Sequence, residues 1–203
     1  KLWLDTDFEM RLTDTAGEDW FVTKSTSTGS GERLLDSTTL AADATIMSFT
    51  SIPGTYRHLK FVAKLRGSGG ARDSVLRLNG DTTAIYYFNV GQISGAGVAS
   101  AYNSTGASGI QFGYVPTNTG AQDEANFFAM HSAEIPFYTD TTTIRTVQCF
   151  QGFLIDFPDT GGMYTRTGGG AYRSVEPITQ IDLVLTDTTA SFLSGSRVDL
   201  YGL

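Results

Sequence analysis

The sequence has little of what several functional classes require. It contains a single cysteine, Cys149, among 203 residues, which excludes an intramolecular disulfide and a multi-cysteine zinc site. It has only two histidines, His58 and His131, and no G-x-S-x-G nucleophile elbow. No apolar run approaches the ~20 residues that span a bilayer, and the opening residues lack the apolar segment of a signal peptide. We therefore expect a protein that is not an enzyme, binds no cofactor or metal, and does not insert into a membrane.

Charge is also scarce. Charged residues make up 17% of the chain, and 14 basic against 21 acidic residues give a formal net charge of −7. Binding to nucleic acid needs clustered Lys and Arg that displace counterions from phosphate, whereas the basic residues here are scattered along the chain. Direct binding of DNA or RNA is therefore disfavoured.

The polar character comes instead from small residues. The chain has 28 Thr, 17 Ser and 23 Gly. Threonine favours strands, and glycine and serine favour turns, while the Ala-, Leu-, Glu- and Lys-rich runs of long helices are missing. Hydrophobic residues, at 40%, are sufficient for a packed core. The composition predicts an all-β protein.

The first 23 residues differ from the rest. They hold both tryptophans and only one glycine, and alternating apolar residues predict short strands around turns at Thr6-Asp7 and at residues 14–20. A ribbon this short cannot form a core alone, so we expect it to pack on the main domain or on another chain. Residues 24–33, rich in Ser, Thr and Gly, are a predicted linker. The candidate assembly contacts are Trp3, Leu4, Phe8, Trp20 and Phe21.

Residues 34–203 show strands separated by turns. In residues 58–66, Leu59, Phe61, Ala63 and Leu65 alternate with polar or smaller residues, which indicates one buried and one wet face. Asn79-Gly80-Asp81 is a tight-turn signal. Strands at near-regular spacing without helices predict an antiparallel β-sandwich, jelly-roll-like in type. The residues expected to face the core from the last two strands are Ile181, Leu183, Leu185, Val198 and Leu200.

The candidates for chemistry or binding are the two histidines, the cysteine and several tyrosines. His58 lies on the polar face of its predicted strand and is expected to be exposed. His131 is flanked by apolar residues and is expected to be packed or hydrogen-bonded, and Cys149 is expected to be a small buried hydrophobe. Several tyrosines fall in Gly-, Ser- and Thr-rich stretches interpreted as loops, where they would serve either as sugar-binding surfaces or as loop anchors. The candidate glycan-facing tyrosines are Tyr102, Tyr114, Tyr164 and Tyr172.

Several motifs occur together after residue 38. They are an Ile-Pro turn and Tyr before a long alternating strand, an "LRxNGDT" hairpin, an "IPxYxxxT" strand, and a closing "FxxGSxxxLYG". Their positions are Ile52, Pro53, Tyr56, Leu59, Arg77, Asn79, Gly80, Asp81, Ile135, Pro136, Tyr138, Phe192, Gly195, Ser196, Leu200, Tyr201 and Gly202. In these motifs the chain resembles a module of tailed-bacteriophage virion proteins, and residues 1–23 lie outside the resemblance.

The resemblance implies where the protein is located rather than a reaction that it catalyses. It implies a non-enzymatic structural protein on the exterior of a phage virion, as capsid decoration or fibre, with the module outermost and attachment through the N-terminal segment. Its partners would be other virion proteins, and its assembly a homotrimer. The alternative is a tail-fibre adhesin that recognises host-surface glycan. A depolymerase is less well supported, because such enzymes usually need a long β-helix and the chain shows no repeat.

Overall fold

The chain forms two compact units, Lys1–Gly31 and Glu32–Leu203. A computed structural model describes residues 10–13, 19–22, 31–69, 72–93, 99–116, 127–154 and 163–203. All regular structure in these ranges is β-strand. The division between the units falls inside the predicted linker, 24–33, and the first strand of the second unit begins at Arg33.

The first unit contains a two-stranded antiparallel ribbon. Strand β1 (Met10–Thr13) pairs with β2 (Asp19–Val22), so that Met10 lies opposite Val22. Trp20 and Phe21 therefore lie on β2, opposite Leu12 and Arg11. The predicted turn at Thr6-Asp7 and three candidate contacts lie outside the described residues: Trp3, Leu4 and Phe8.

The second unit is an antiparallel β-sandwich, as predicted. One sheet has eight strands in the order β3-β14-β5-β10-β11-β12-β7-β8, and the other has four in the order β4-β13-β6-β9. Every pairing is antiparallel. The jelly-roll-like connectivity stays a prediction. The strands are β3 (Arg33–Thr39), β4 (Ile46–Phe49), β5 (His58–Leu65), β6 (Arg72–Leu78), β7 (Tyr86–Ile93), β8 (Ala99–Ala107), β9 (Ile110–Val115), β10 (Ala129–Pro136), β11 (Arg145–Leu154), β12 (Met163–Tyr172), β13 (Ile181–Leu185) and β14 (Arg197–Gly202).

The core lies between the two sheets, and alternation along the strands supplies it. In β5 the predicted buried set, from Leu59 to Leu65 at every second residue, is at most 1% exposed, because side chains at i and i+2 share a face of a strand. Strand β14 lies between β3 and β5 and buries Val198 and Leu200. The chain crosses from the small sheet to the large one between β13 and β14.

The Asn79-Gly80 turn forms, but it does not make a hairpin. Both residues have positive φ, 55° and 65°, and Asp81 N–H donates to the Leu78 carbonyl at 3.1 Å, as in a type I′ turn. The flanking strands β6 and β7 belong to different sheets. The expectation of a hairpin is wrong because the turn redirects the chain across the core instead of back along β6.

Two segments interpreted as loops are strands of the large sheet. The stretch from Gly91 to Gly109 contains the edge strand β8, and the stretch around residues 158–174 contains β12, which pairs with β11 and β7. Glycine-rich backbone has low intrinsic strand propensity. Hydrogen bonds on both sides of β12 outweigh that preference, which no local pattern could show.

The sandwich has two distinguishable ends. At the proximal end β3 begins at Arg33, opposite Gly202 of β14, and His58, the first residue of β5, exchanges backbone hydrogen bonds with Leu203. At the distal end Leu65 of β5 lies opposite Ala129, and Leu154 of β11 lies opposite Met163. The chain therefore runs from the proximal to the distal end along β5 and β11.

Candidate functional site

The four tyrosines predicted to face a glycan from loops are not in loops. Tyr102 lies on β8, Tyr114 on β9, and Tyr164 and Tyr172 on β12. Tyr172 is 3% exposed and stacks on Tyr86 with ring centroids 4.9 Å apart. The loop assignment is wrong because hydrogen bonding to neighbouring strands orders these Gly- and Ser-rich segments.

Two of these tyrosines share a partner that sequence reasoning missed. The Arg166 guanidinium carbon lies 5.8 Å from the Tyr102 ring centroid and 5.3 Å from that of Tyr114, close enough for cation–π attraction. Arg166 also pairs with Asp73 at 2.5 Å and donates to Gln92 at 2.9 Å. This cluster joins β6, β7, β8, β9 and β12 across the core.

The Tyr102 hydroxyl is buried without a hydrogen-bond partner among the described residues. Burial raises the pKa of Tyr102 to about 12. Tyr164, two residues before Arg166 on the same strand, is half-buried. The Arg166 cluster therefore holds the half-buried rings of Tyr102 and Tyr114 against the sandwich.

A glutamine side chain completes the edge of β9. Tyr114 N–H donates to Gln151 Oε1 at 2.7 Å, and Gln151 Nε2 donates to the Tyr114 carbonyl. The amide thus takes the place of a neighbouring strand and satisfies backbone groups that burial would otherwise leave unpaired. A Cβ atom on Gly113 would lie 2.5 Å from Gln151 Oε1, so a side chain there would displace the amide from Tyr114.

His131 lies opposite Gln151 and is 2% exposed. Neither ring nitrogen has a hydrogen-bond partner among the described residues, and the ring packs 5.0 Å from that of Phe112. Burial, assisted by the positive charge of Arg166, lowers the pKa of His131 to about 3. The expectation of a packed His131 is confirmed, and the neutral ring is poorly placed to act as a base.

The buried histidine predicts a pH dependence of stability. Its folded-state pKa lies below the unfolded value of about 6.5, so the unfolded state binds the extra proton and stability falls as pH drops through the window between the two values. Denaturant titrations between pH 6.5 and pH 5 should show a loss approaching about 1 kcal/mol per pH unit. His131→Leu should have a flatter profile. Equal slopes in the two proteins would contradict this assignment.

Above pH 5 the pH dependence of stability should reflect His131 more than the carboxylates. Hydrogen bonds from Thr142 and Thr143 lower the pKa of Asp140 to about 2, and those from Thr83 lower that of Asp81. Because a depressed carboxyl pKa contributes stability that is lost as pH falls through the acidic range, these groups act mainly below the chosen window.

The other histidine and the cysteine are structural as well. His58 is half-buried rather than exposed; its Nδ1 accepts from Phe137 N–H at 3.2 Å, and its ring meets the Phe137 ring edge-on at 4.8 Å. Cys149 is buried as predicted, and burial raises the pKa of its thiol to about 12. No cluster of three metal-ligating side chains occurs among the described residues.

A groove lies on the outer face of the large sheet. A hollow of about 540 Å³ is lined by residues of β10, β11 and β12, and a smaller one of about 260 Å³ shares Glu134 and Gln148 with it. We call the two together the outer-face groove. The larger hollow is lined by Ser132, Ala133, Glu134, Gln148, Cys149, Phe150, Thr167 and Gly168, and the smaller by His58, Glu134, Pro136, Gln148 and Leu203.

Phe150 stands out in this groove because its side chain is 57% exposed. Its strand neighbours Cys149 and Gln151 face the core, so the alternation of β11 places a large aromatic on the wet face. Sequence reasoning missed Phe150, although the alternating stretch from Val147 to Gln151 carried the signal. An exposed aromatic beside polar side chains is a feature of binding surfaces.

Comparison with known proteins adds no relative: no family model, curated protein or solved structure matches the chain. Among the described residues, no helix has the length and apolar character needed to cross a membrane.

Proposed function

We propose that this protein is a non-enzymatic accessory component of a tailed-phage virion, displayed on the particle exterior as capsid decoration or fibre. In this proposal residues 1–23 attach it to other virion proteins, and the sandwich projects from them. The protein assembles as a homotrimer. Its acidic charge keeps the displayed surface soluble.

The observation that supports this proposal is that distant motif residues meet at the proximal end. The Tyr138 hydroxyl donates to the Pro53 carbonyl and accepts from Tyr56 N–H at 3.4 Å. The Tyr56 ring lies so close to Gly202 that a Cβ atom there would be 2.4 Å from it. Three segments that carry the resemblance thus form one packed unit, which explains why these residue types occur together.

The Asn79 turn belongs to the same end. Its side-chain oxygen accepts from Thr179 N–H at 2.8 Å, and its side-chain nitrogen donates to the Pro177 carbonyl at 2.9 Å. The motif residues therefore hold together the end at which the chain from the first unit joins β3. A module mounted through its N-terminal segment needs this end to be well ordered.

Deletion of residues 1–23 tests the attachment. We expect the truncated protein to keep the β-rich circular dichroism and thermal transition of the full chain, but not to co-sediment with particles assembled without the native protein. Full-length protein added to the same particles is the control. Incorporation of the truncated protein at normal occupancy would show that attachment lies elsewhere.

A second candidate function is adhesion to a host-surface glycan. The burial of Tyr172 and of the Tyr102 hydroxyl argues against the predicted tyrosine surface. The outer-face groove, which lies elsewhere on the sandwich, favours glycan adhesion at that place.

A further inference from the structure

We propose that the outer-face groove binds a neutral oligosaccharide of the host surface, an inference that rests on the display of the protein outside the particle. The groove lies on a sheet face that no other strand of the second unit covers. Its larger hollow, of about 540 Å³, falls in the range of small-molecule sites, about 300–1,000 Å³.

A glycine of β12 helps to form the groove. Gly169 pairs with the exposed Gln148 and therefore lies on the outer face, whereas the glycines on either side of it pair with the buried Cys149 and Val147 and lie on the core face. A Cβ atom on Gly169 would lie 2.6 Å from the Val147 carbonyl oxygen. The close strand packing thus requires glycine at this position, and its missing side chain leaves a depression beside Gln148.

The groove is elongated along the strands. Ser132 pairs with Phe150, Glu134 pairs with Gln148, and Pro136 pairs with His58 in successive steps along β10. Two such steps of two residues correspond to about 13 Å of strand. The groove is therefore shaped for an extended chain of sugars rather than for a single compact molecule.

The side chains of the groove match the chemistry of a sugar. The exposed Phe150 ring offers an apolar surface for the C–H face of a pyranose, while sugar hydroxyls need both donors and acceptors. Gln148 supplies both, the Ser132 and Thr167 hydroxyls supply both, and Glu134 supplies acceptors. An aromatic platform among adaptable polar groups is an efficient arrangement for binding a polar ligand.

The charge of the groove favours a neutral ligand. Glu134 is the one acidic side chain that lines it, and no Lys or Arg side chain does among the described residues. Lys60 lies across from Glu134 on β5, and its hydrogen bond to Glu32, together with the charges of Glu32 and Glu134, raises the pKa of Lys60. A sialylated or phosphorylated glycan would lack the Arg or Lys partners that recognise anions, and the net charge of −7 would repel it.

The other possible occupant of this face is a second copy of the chain. The centre of a protein interface is usually apolar and depleted of charge. In the groove, Phe150 is surrounded by Ser132, Glu134, Gln148 and Thr167, which would lose their hydration without assured partners. These polar groups suit a ligand rich in hydroxyls better than an identical sheet face.

The test uses the full chain on an array of short neutral oligosaccharides based on glucose, galactose, rhamnose and N-acetylglucosamine, with sialylated and phosphorylated sugars as comparison probes. We expect saturable binding to at least one neutral probe, and none to the anionic ones. Phe150→Ala should weaken that binding about tenfold or more, as removal of a central aromatic contact does. Gln148→Ala should weaken it as well.

Met130→Ala is the matched control. Met130 is 52% exposed and shares its strand and face with Ser132, but it does not line the groove. Binding should be unchanged in this variant. The proposal is overturned if no neutral probe binds saturably, if Phe150→Ala binds as well as the parent, or if Met130→Ala weakens binding equally.

Light scattering on the same proteins tests whether a second copy of the chain, rather than a sugar, occupies the groove. A change of oligomeric mass in Phe150→Ala would assign the face to an interface between chains and overturn the sugar site. Failure of this proposal and of the proposed function remain separable. Phe150→Ala should still join particles, and the protein that lacks residues 1–23 should still bind sugar.

Discussion

Removal of residues 197–203 is expected to abolish folding of the sandwich. Strand β14 lies between β3 and β5, and β14 is the strand with which β3 pairs. Its loss removes the buried Val198 and Leu200, worth about 2 kcal/mol each, and leaves the backbone groups of two strands unpaired. The sum approaches or exceeds a typical domain stability of about 5–15 kcal/mol.

Circular dichroism and thermal denaturation would measure this effect. The truncated chain should lack a cooperative transition, whereas a chain that lacks residues 1–31 should retain one, since Glu32–Leu203 forms a compact unit of its own. Leu200→Ala removes only part of this contribution and is expected to lower the free energy of unfolding by about 3 kcal/mol. A cooperative transition without residues 197–203 would show that β14 is dispensable and that the described core is wrong.

Gly168→Ala is expected to lower the free energy of unfolding by about 3 kcal/mol, the upper end of the cost of overpacking. The added Cβ would lie 2.4 Å from the Asn89 carbonyl oxygen and 3.1 Å from the Val90 Cα. Both are backbone atoms in a paired strand, so neither can rotate away, and β12 or β7 must shift. A single methyl group should therefore have an effect usually seen only for large core substitutions.

Gly91→Ala is the matched control for this substitution. Gly91 lies on β7, opposite Thr167, and its Cβ atom would meet the Thr167 carbonyl oxygen at an ordinary 3.8 Å. Denaturant titration should show a change within about 0.5 kcal/mol for this variant. Similar losses at the two positions would indicate a general intolerance of the sheet to side chains, not a specific close approach at Gly168.

Where a strand buries one face, its own residues were sufficient to predict the strand and its buried side. The alternation from Leu59 to Leu65 predicted both β5 and its buried side, because side chains alternate along any strand whatever its neighbours. The same reasoning correctly assigned Val198 and Leu200 to the core. In β13, however, all five residues from Ile181 to Leu185 are buried, so alternation identified only part of its contribution.

The errors arose where the structure depends on pairing between distant segments. The Asn79-Gly80 dipeptide specified a turn through its positive φ values, but whether two flanking strands pair or separate into different sheets is decided by partners elsewhere in the chain. Likewise, β8 and β12 contain Gly, Ser and Thr in proportions typical of loops. Their strand conformation comes from hydrogen bonds to β7 and β11.

The candidate sites also divide into residues that the local sequence predicted and contacts between distant segments that it did not. Buried His131 and Cys149 were predicted from their apolar neighbours, whereas the cluster of Arg166 with Tyr102 and Tyr114 joins residues up to 64 positions apart and has no local signal. The outer-face groove depends on β5, β10, β11 and β12 lying side by side, which again no single segment reveals.

Strand periodicity, turn chemistry and composition act over a few neighbouring residues, so they were enough to predict a β-sandwich preceded by an N-terminal ribbon. Contacts between distant segments established which strands became neighbours, which tyrosine was buried, and where the missing side chain of Gly169 widened a groove beside Gln148. Those outcomes depend on backbone hydrogen bonds and close contacts between segments far apart in the chain, and their energies exceed the local preferences of the residues that make them.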